Sequence, residues 1–172
     1  MSDTYSYTDK TAITAEDVAK DSLLLEKMVQ EGSLTLPFVL SLLTLDPWLY
    51  IGLPEPFLKD PVVREHTLRR EPGLLPYIDP KDANLCEIAI DANPLALKFV
   101  WFKLRTEKLV KKAISANYKA VVQATFEQKN DEAFVTWCLN TNPLTVTHLA
   151  KANPNSKRVR IALFWKKVAQ DD

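Results

Sequence analysis

Glycine is scarce in this chain. Only Gly32, Gly52 and Gly73 occur in 172 residues. Strand-rich folds and phosphate-cradling loops draw on glycine for tight turns and close backbone approach, so both are disfavoured. Histidine is equally sparse. Apart from Glu65 beside His66, neither His66 nor His148 has a Cys, Asp or Glu at metal-ligand spacing. The local sequence therefore offers too few ligands for a zinc site, and neither metal nor cofactor is expected. Two cysteines, Cys86 and Cys138, do not make a disulfide framework. They point to a reducing, cytoplasmic setting. The longest apolar stretch, LTLPFVLSLLTL from Leu34 to Leu45, is too short to span a bilayer and is interrupted by Pro37. A buried helix is expected there. The opening MSDTYSYTDK has neither the basic flank nor the apolar core of a secretory signal. No Gly-rich phosphate loop, nucleophile elbow or HExxH motif is present.

What is there suits a folded, helical chain. Hydrophobic residues make up 47% and charged residues 26%, a balance that supports a core. Eleven prolines with three glycines fit many short helices, each begun by Pro at its first position. The net charge is zero, but the charges are segregated. Residues 1–92 hold 8 Lys/Arg against 16 Asp/Glu, and residues 93–172 hold 14 against 6. The halves are therefore −8 and +8, which bears on partners and association rather than on fold.

The chain also repeats. Five segments begin at Asp46 (DPWLYIGL), Glu71 (EPGLLPYI), Asn93 (NPLALKFV), Asn117 (NYKAVVQA) and Asn142 (NPLTVTHL), spaced by 25, 22, 24 and 25 residues. Asp and Asn are good helix N-caps, and Pro follows the start residue in four of the five. Glu71 is the poorest cap of the set. Four and seven positions after each start lie apolar residues: Tyr50/Leu53, Leu75/Ile78, Leu97/Val100, Val121/Ala124 and Val146/Leu149. They form one face of a short helix. A second cap signal follows at Asp60, Asp79, Thr106, Asn130 and Ser156. The helix after it has its own register. Small residues (Thr67, Ala89, Ala113, Cys138) stand four before the next start. Apolar ones stand three before (Leu68, Ile90, Ile114, Leu139) and eight before (Val63, Leu85, Leu109, Phe134). A small residue at a fixed position lets helix backbones approach closely. The last segment fits with Ala162 and Leu163 if a further start is placed at Lys166.

Each repeat is thus predicted to be an α-hairpin that buries its apolar face only by stacking on its neighbours. The expected fold is all-α: a short solenoid-like array of stacked α-hairpins over residues 46–168, preceded by N-terminal capping helices over 14–45. Thr14 to Asp17 reads as a capping box. A helix is expected from Ala15 to Glu31, with Gly32 as its stop. Residues 1–13 are expected to be loosely ordered, and the tail after Lys167 to fray. A non-repetitive helical bundle is the alternative.

The stretch NPLALKFV…LRTEKLVKKAIS resembles a family of short helical repeats known only as a domain of unknown function. Asn93, Ala96-Leu97, Arg105 to Lys108, and Leu109, Val110 and Ala113 carry the likeness. It is clearest over residues 82–141, and residues 46–81 depart from it by extra prolines and no Ala-Leu pair. The resemblance implies an all-helical array with no catalytic residues to transfer. Such repeats occur in proteins of intracellular pathogens, protists and large viruses, which implies a host-interacting protein.

No catalytic residue is expected. Cys86 and Cys138 fall at helix positions where other repeats carry apolar or small residues, so they read as buried structural cysteines. His148, beside Leu149, reads as a core-edge or exposed histidine. The acid pairs Glu16-Asp17 and Asp131-Glu132 sit at predicted helix starts, where they favour the positive end of the dipole. The basic half supplies the candidates: Trp101, Lys103, Arg105, Lys108, Lys111 and Lys112 in one repeat, and Lys157, Arg158, Arg160 and Trp165 in the last. Basic residues with exposed aromatics can hold phosphates and stack bases, whereas on a solvated helix face the Lys stems cover apolar surface and the aromatics pack inside. The leading expectation is a non-catalytic interaction protein, an adaptor or inhibitor whose basic half meets an acidic protein partner. Nucleic-acid binding by that half is the second reading, although a pI of 6.7 is low for it. Head-to-tail self-association of acidic and basic ends is the third. No membrane partner is expected.

Overall fold

In a computed structural model of the chain, residues 13–171 are described, and among them every regular element is a helix. The expectation for residues 1–13 falls outside this range except at Ile13. The chain divides into two compact units, one up to Val63 and one from Arg64.

In the first unit, α1 (Ala15–Lys20) starts at the expected capping box. Thr14 Oγ1 accepts from Asp17 N, and the Asp17 carboxylate accepts from Thr14 N at 3.0 Å. The hydroxyl and amide of Thr14 hold the Asp17 pKa below its ordinary value. The single helix expected from Ala15 to Glu31 is two. Asp21 adopts an extended conformation (φ −135°, ψ 100°) that ends α1, and its side chain accepts from Leu23 N to start α2 (Ser22–Glu31). An Asp that can cap locally competes with helix continuation. Gly32, at φ 62°, stops α2 as expected. The apolar stretch around Pro37 is α3 (Leu36–Leu45), which packs on α1 and buries Val39, Leu42 and Leu43.

All five repeat starts build the same corner. At Asp46, Glu71, Asn93, Asn117 and Asn142 the backbone is extended, with φ between −133° and −154°. Each side chain accepts from the amide two residues on. Each backbone N–H meanwhile donates to the carbonyl four residues back, in the preceding helix. One residue thus closes one helix and opens the next, and Glu71 does so as well as the Asx residues. The short helices that follow differ from expectation. Pro47–Gly52, Pro94–Phe99 and Tyr118–Gln123 are 3-10 helices, and Pro72–Leu74 and Pro143–Thr145 are 3-10 turns running into the α-helices α6 (Leu75–Ile78) and α11 (Val146–Ala152). Length alone does not select the tighter form, since α1 also has six residues and is α, and each six-residue stretch is longer than the usual 3-10 run of about three or four.

Short helices then lead into the longer ones. After α4 (Glu55–Lys59) comes α5 (Pro61–Arg70), capped by Asp60. Next are α7 (Ala83–Ala92), α8 (Glu107–Ala116) and, after α9 (Phe126–Asn130), α10 (Glu132–Thr141). The last is α12 (Lys157–Asp171), whose helical backbone continues past Lys167. Thr106 and Ser156 cap α8 and α12 as expected. Two caps shift. Asp82 rather than Asp79 starts α7, and Asp131 rather than Asn130 starts α10. In both cases the residue next to the helix has extended backbone and a carboxylate in reach. Asp79 instead accepts from Lys81 N within the preceding turn.

Within the second unit the short elements pack in sequence, Pro72–Leu74 on Pro94–Phe99, that on Tyr118–Gln123, and that on Pro143–Thr145. The long helices follow suit: α7 on α8, α8 on α10, α10 on α12. The small positions Thr67, Ala89, Ala113 and Cys138 are completely buried. Buried too are residues three after each start in this unit (Leu74, Ala96, Ala120, Thr145) and, three positions before the small-residue register, Cys86, Val110, Val135 and Val159. The predicted partners in α12, Ala162 and Leu163, pack against the core at its edge, and Val159 is its fully buried residue.

Candidate interaction surface

The basic residues singled out in the sequence do not act alike. Arg105 is a structural clamp rather than a free cation. Its Nε donates to the Val100 carbonyl, Nη2 to Lys98 and Nη1 to Gln123, each at 3.0 Å. These carbonyls end the 3-10 helices Pro94–Phe99 and Tyr118–Gln123, where intrahelical partners run out. Burial lowers the guanidinium pKa. Lys129, at the same repeat position as Arg105, does likewise. Its Nζ donates to the Val122 carbonyl at 2.6 Å, and burial, then the nearby Arg105 charge, lowers its pKa.

A second repeating bond joins successive layers. Gln128 Nε2 donates to the Arg105 carbonyl at 2.8 Å, and Asn153 Nδ2 to the Lys129 carbonyl at 3.3 Å. Gln128 and Asn153 occupy equivalent positions, each reaching back one repeat. The register of caps and apolar residues did not single them out. A side-chain amide eleven residues after the start in consecutive repeats is the signal that could have.

Lys111 pairs with Glu107 at 2.6 Å and lies 5.0 Å from the Trp137 ring. Lys112 pairs with Asp91 of the preceding repeat at 2.7 Å, and that hydrogen bond raises its pKa. Arg158 approaches Glu132 at 3.7 Å. Lys103 lies 5.1 Å from the centre of the half-buried Trp101 ring, and Lys81, which the sequence did not single out, lies 5.6 Å from it. Lys108, Lys157 and Arg160 are exposed and make no ion pair among the described residues. The clusters therefore reduce to two surfaces.

One surface surrounds Trp101. Phe102 is 62% exposed and Phe126 74%, at the same position of successive repeats. Trp101 meets Phe102 edge-on at 5.7 Å, with the two lysines beside it.

The other surface is on α12. Ile161, Phe164, Trp165 and Val168 are all exposed, Phe164 and Trp165 by 61% and 63%. Their spacing makes one helix stripe. Arg160 and Lys167 flank it on one side and Arg158 on the other, while Lys157 opens it. Phe164 and Trp165 stand where earlier repeats place Arg69-Arg70, Asp91-Ala92, Ser115-Ala116 and Asn140-Thr141, all exposed and mostly polar. The repeat therefore does not account for aromatics here. A hollow of about 470 Å³ lies among Lys157, Arg160, Ile161, Phe164 and Trp165. Another of about 410 Å³ lies on the side of Trp165 facing Leu139, Pro143, Leu144 and Ala162.

Cys86 and Cys138 are fully buried, and burial pushes their thiols up to about 11 and about 12. Thiols held so far above neutral pH are poor nucleophiles. His66 accepts from Arg70 Nε at 3.1 Å, and His148 is half-buried beside the Tyr118 ring. No cluster of three or more His, Cys, Asp or Glu suited to a metal occurs among the described residues. None of the described helices is long and apolar enough to cross a membrane. No family model, curated protein or solved structure matches the chain.

Proposed function

We propose that the protein is a non-catalytic, helical-repeat interaction protein, an adaptor or inhibitor that binds a protein partner with an acidic surface. The observation that carries this is the α12 stripe: two largely exposed aromatics at positions that face solvent in every other repeat, bordered by cations. Aromatic anchors with a charged rim match the anatomy of protein interfaces. The flanking cations would raise the rate of encounter with an acidic surface more than the final affinity. The solenoid-like stacking of hairpins and the host-facing role implied by the family resemblance belong to the same proposal.

The test is capture of partners from host lysate with the tagged chain, with and without nuclease. It is repeated after changing Lys108, Lys157 and Arg160 to Glu and Trp165 to Ala. A nuclease-resistant protein lost in the variant supports the proposal. Capture that ignores these changes sinks it.

The Trp101 surface favours a second reading. Exposed Phe102 and Phe126 one repeat apart, with Lys81 and Lys103 at Trp101, suit single-stranded nucleic acid, whose bases stack on aromatics while phosphates meet lysines. Its mark is affinity for single-stranded oligonucleotides that falls steeply with salt and is lost on Phe102→Ala with Phe126→Ala.

A further inference from the structure

We propose that the acidic partner of the α12 stripe is the N-terminal unit of a second copy of this chain, so that copies join head to tail. This rests on the reading of α12 as a protein-binding face and names its occupant. Residues 1–63 hold 4 Lys/Arg against 10 Asp/Glu, whereas α12 holds five basic residues and one acidic one. The N-terminal unit also offers a receiving site of complementary character. A hollow of about 530 Å³ is lined by Thr14, Ala15, Glu16, Ser41, Thr44 and Leu45. Leu45 is 50% exposed, and Ile51, in the 3-10 helix that follows, is exposed as well. The hollow thus combines apolar surface with the Glu16 carboxylate, as the α12 stripe combines Phe164 and Trp165 with Lys157 and Arg160.

Charge selects this occupant over the alternatives. Two α12 stripes facing each other would bring their flanking cations, Lys157, Arg158, Arg160 and Lys167, against the same four, which disfavours a symmetric dimer through that helix. A bilayer of anionic lipid matches the charge and the aromatics, but a flat surface leaves the hollows on either side of Trp165 unfilled. A contact between two different patches is heterologous, so a third copy can add to the second.

The experiment is sedimentation velocity of the full chain over a range of concentrations at low and high salt. At low salt the mass is expected to rise with concentration beyond twice the 19.5 kDa chain, and to return to one chain at high salt. Trp165→Glu and Leu45→Glu should each leave a monomer, with circular dichroism showing that the helices persist. An equimolar mixture of the two variants has one intact pair of patches, so it should form dimers and nothing larger. A wild-type monomer at every concentration overturns the proposal. So does a mixture that stays monomeric. Binding of the monomer to phosphatidylserine vesicles, lost on Trp165→Glu and without self-association in their absence, would overturn it in favour of the bilayer. If the chain stays monomeric yet still captures a protein through Trp165, the head-to-tail proposal falls and the adaptor reading stands.

Discussion

Arg105 shows how much one side chain can hold together in this fold. It donates to three carbonyls from two successive 3-10 helices, and its own carbonyl accepts from Gln128 of the next repeat. Arg105→Ala strands those carbonyls with water as the only substitute, and hydrogen bonds to charged groups contribute about 1.5–3 kcal/mol each at best. The site is only partly buried, so about 1–3 kcal/mol in total is expected. Arg105→Lys should recover only part of it, because one ammonium cannot span the fork. The urea midpoints of the two variants and wild type check this. Equal midpoints for wild type and Arg105→Ala would show that the clamp contributes nothing. The cysteines yield a second residue-scale prediction. With thiols at about 11 and about 12 in full burial, neither Cys86 nor Cys138 should be modified by a thiol reagent at neutral pH until the chain opens. Rapid labelling of either in the native state would contradict its burial.

At the scale of the element, the corner residue and the small position are what make the repeat. Asn117 ends α8 through its amide and starts Tyr118–Gln123 through its side chain. Asn117→Ala should therefore cost about 1 kcal/mol, as for other lost N-caps. Ala113 is fully buried four residues earlier, in a helix that packs against α7, α10 and both flanking 3-10 helices. Ala113→Leu should destabilise by about 1–3 kcal/mol through overpacking, read as a lowered melting temperature. Both features were legible in the sequence, because Asx-Pro corners and apolar spacing act within one helix turn. The 3-10 form of the short helices was less so. Hydrophobic spacing over six positions suits either helix. The break at Asp21 was hidden for a related reason: the same Asp could have sat on a helix surface, and its backbone conformation decides. In the sequence Arg105 looks like one more basic residue of its cluster. Its acceptors lie up to 18 residues away, and the amide bonds of Gln128 and Asn153 span 23 and 24. Such partners become visible only when the stacking of layers is known. The α12 stripe was half legible: the cations and Trp165 stood out in the sequence, while Phe164 gained meaning only from the exposure of its counterparts.

At the scale of the whole molecule, stability should be graded along the second unit. A repeat array is held by nearest-neighbour interfaces, so a layer with neighbours on both sides opens less readily than one at an end. The helix α8 packs against both α7 and α10, and α10 against both α8 and α12. By contrast α12 packs on α10 and α11 and leaves its aromatic stripe in water. Amide hydrogen exchange is therefore expected to be slowest in α8 and α10 and markedly faster in α12, although α12 is the longest of the described helices. Uniform protection across all three would mean that the unit opens only as a whole. The same measurement connects the gradient to association. If copies join through α12, raising the protein concentration at low salt should slow exchange in α12 and in α1 and α3, whose residues line the hollow beside Glu16, while leaving α8 unchanged. High salt should reverse the change in α12 without altering α8, because the interior layers are held by buried apolar surface and internal hydrogen bonds, and only the contact between copies depends on opposite charge.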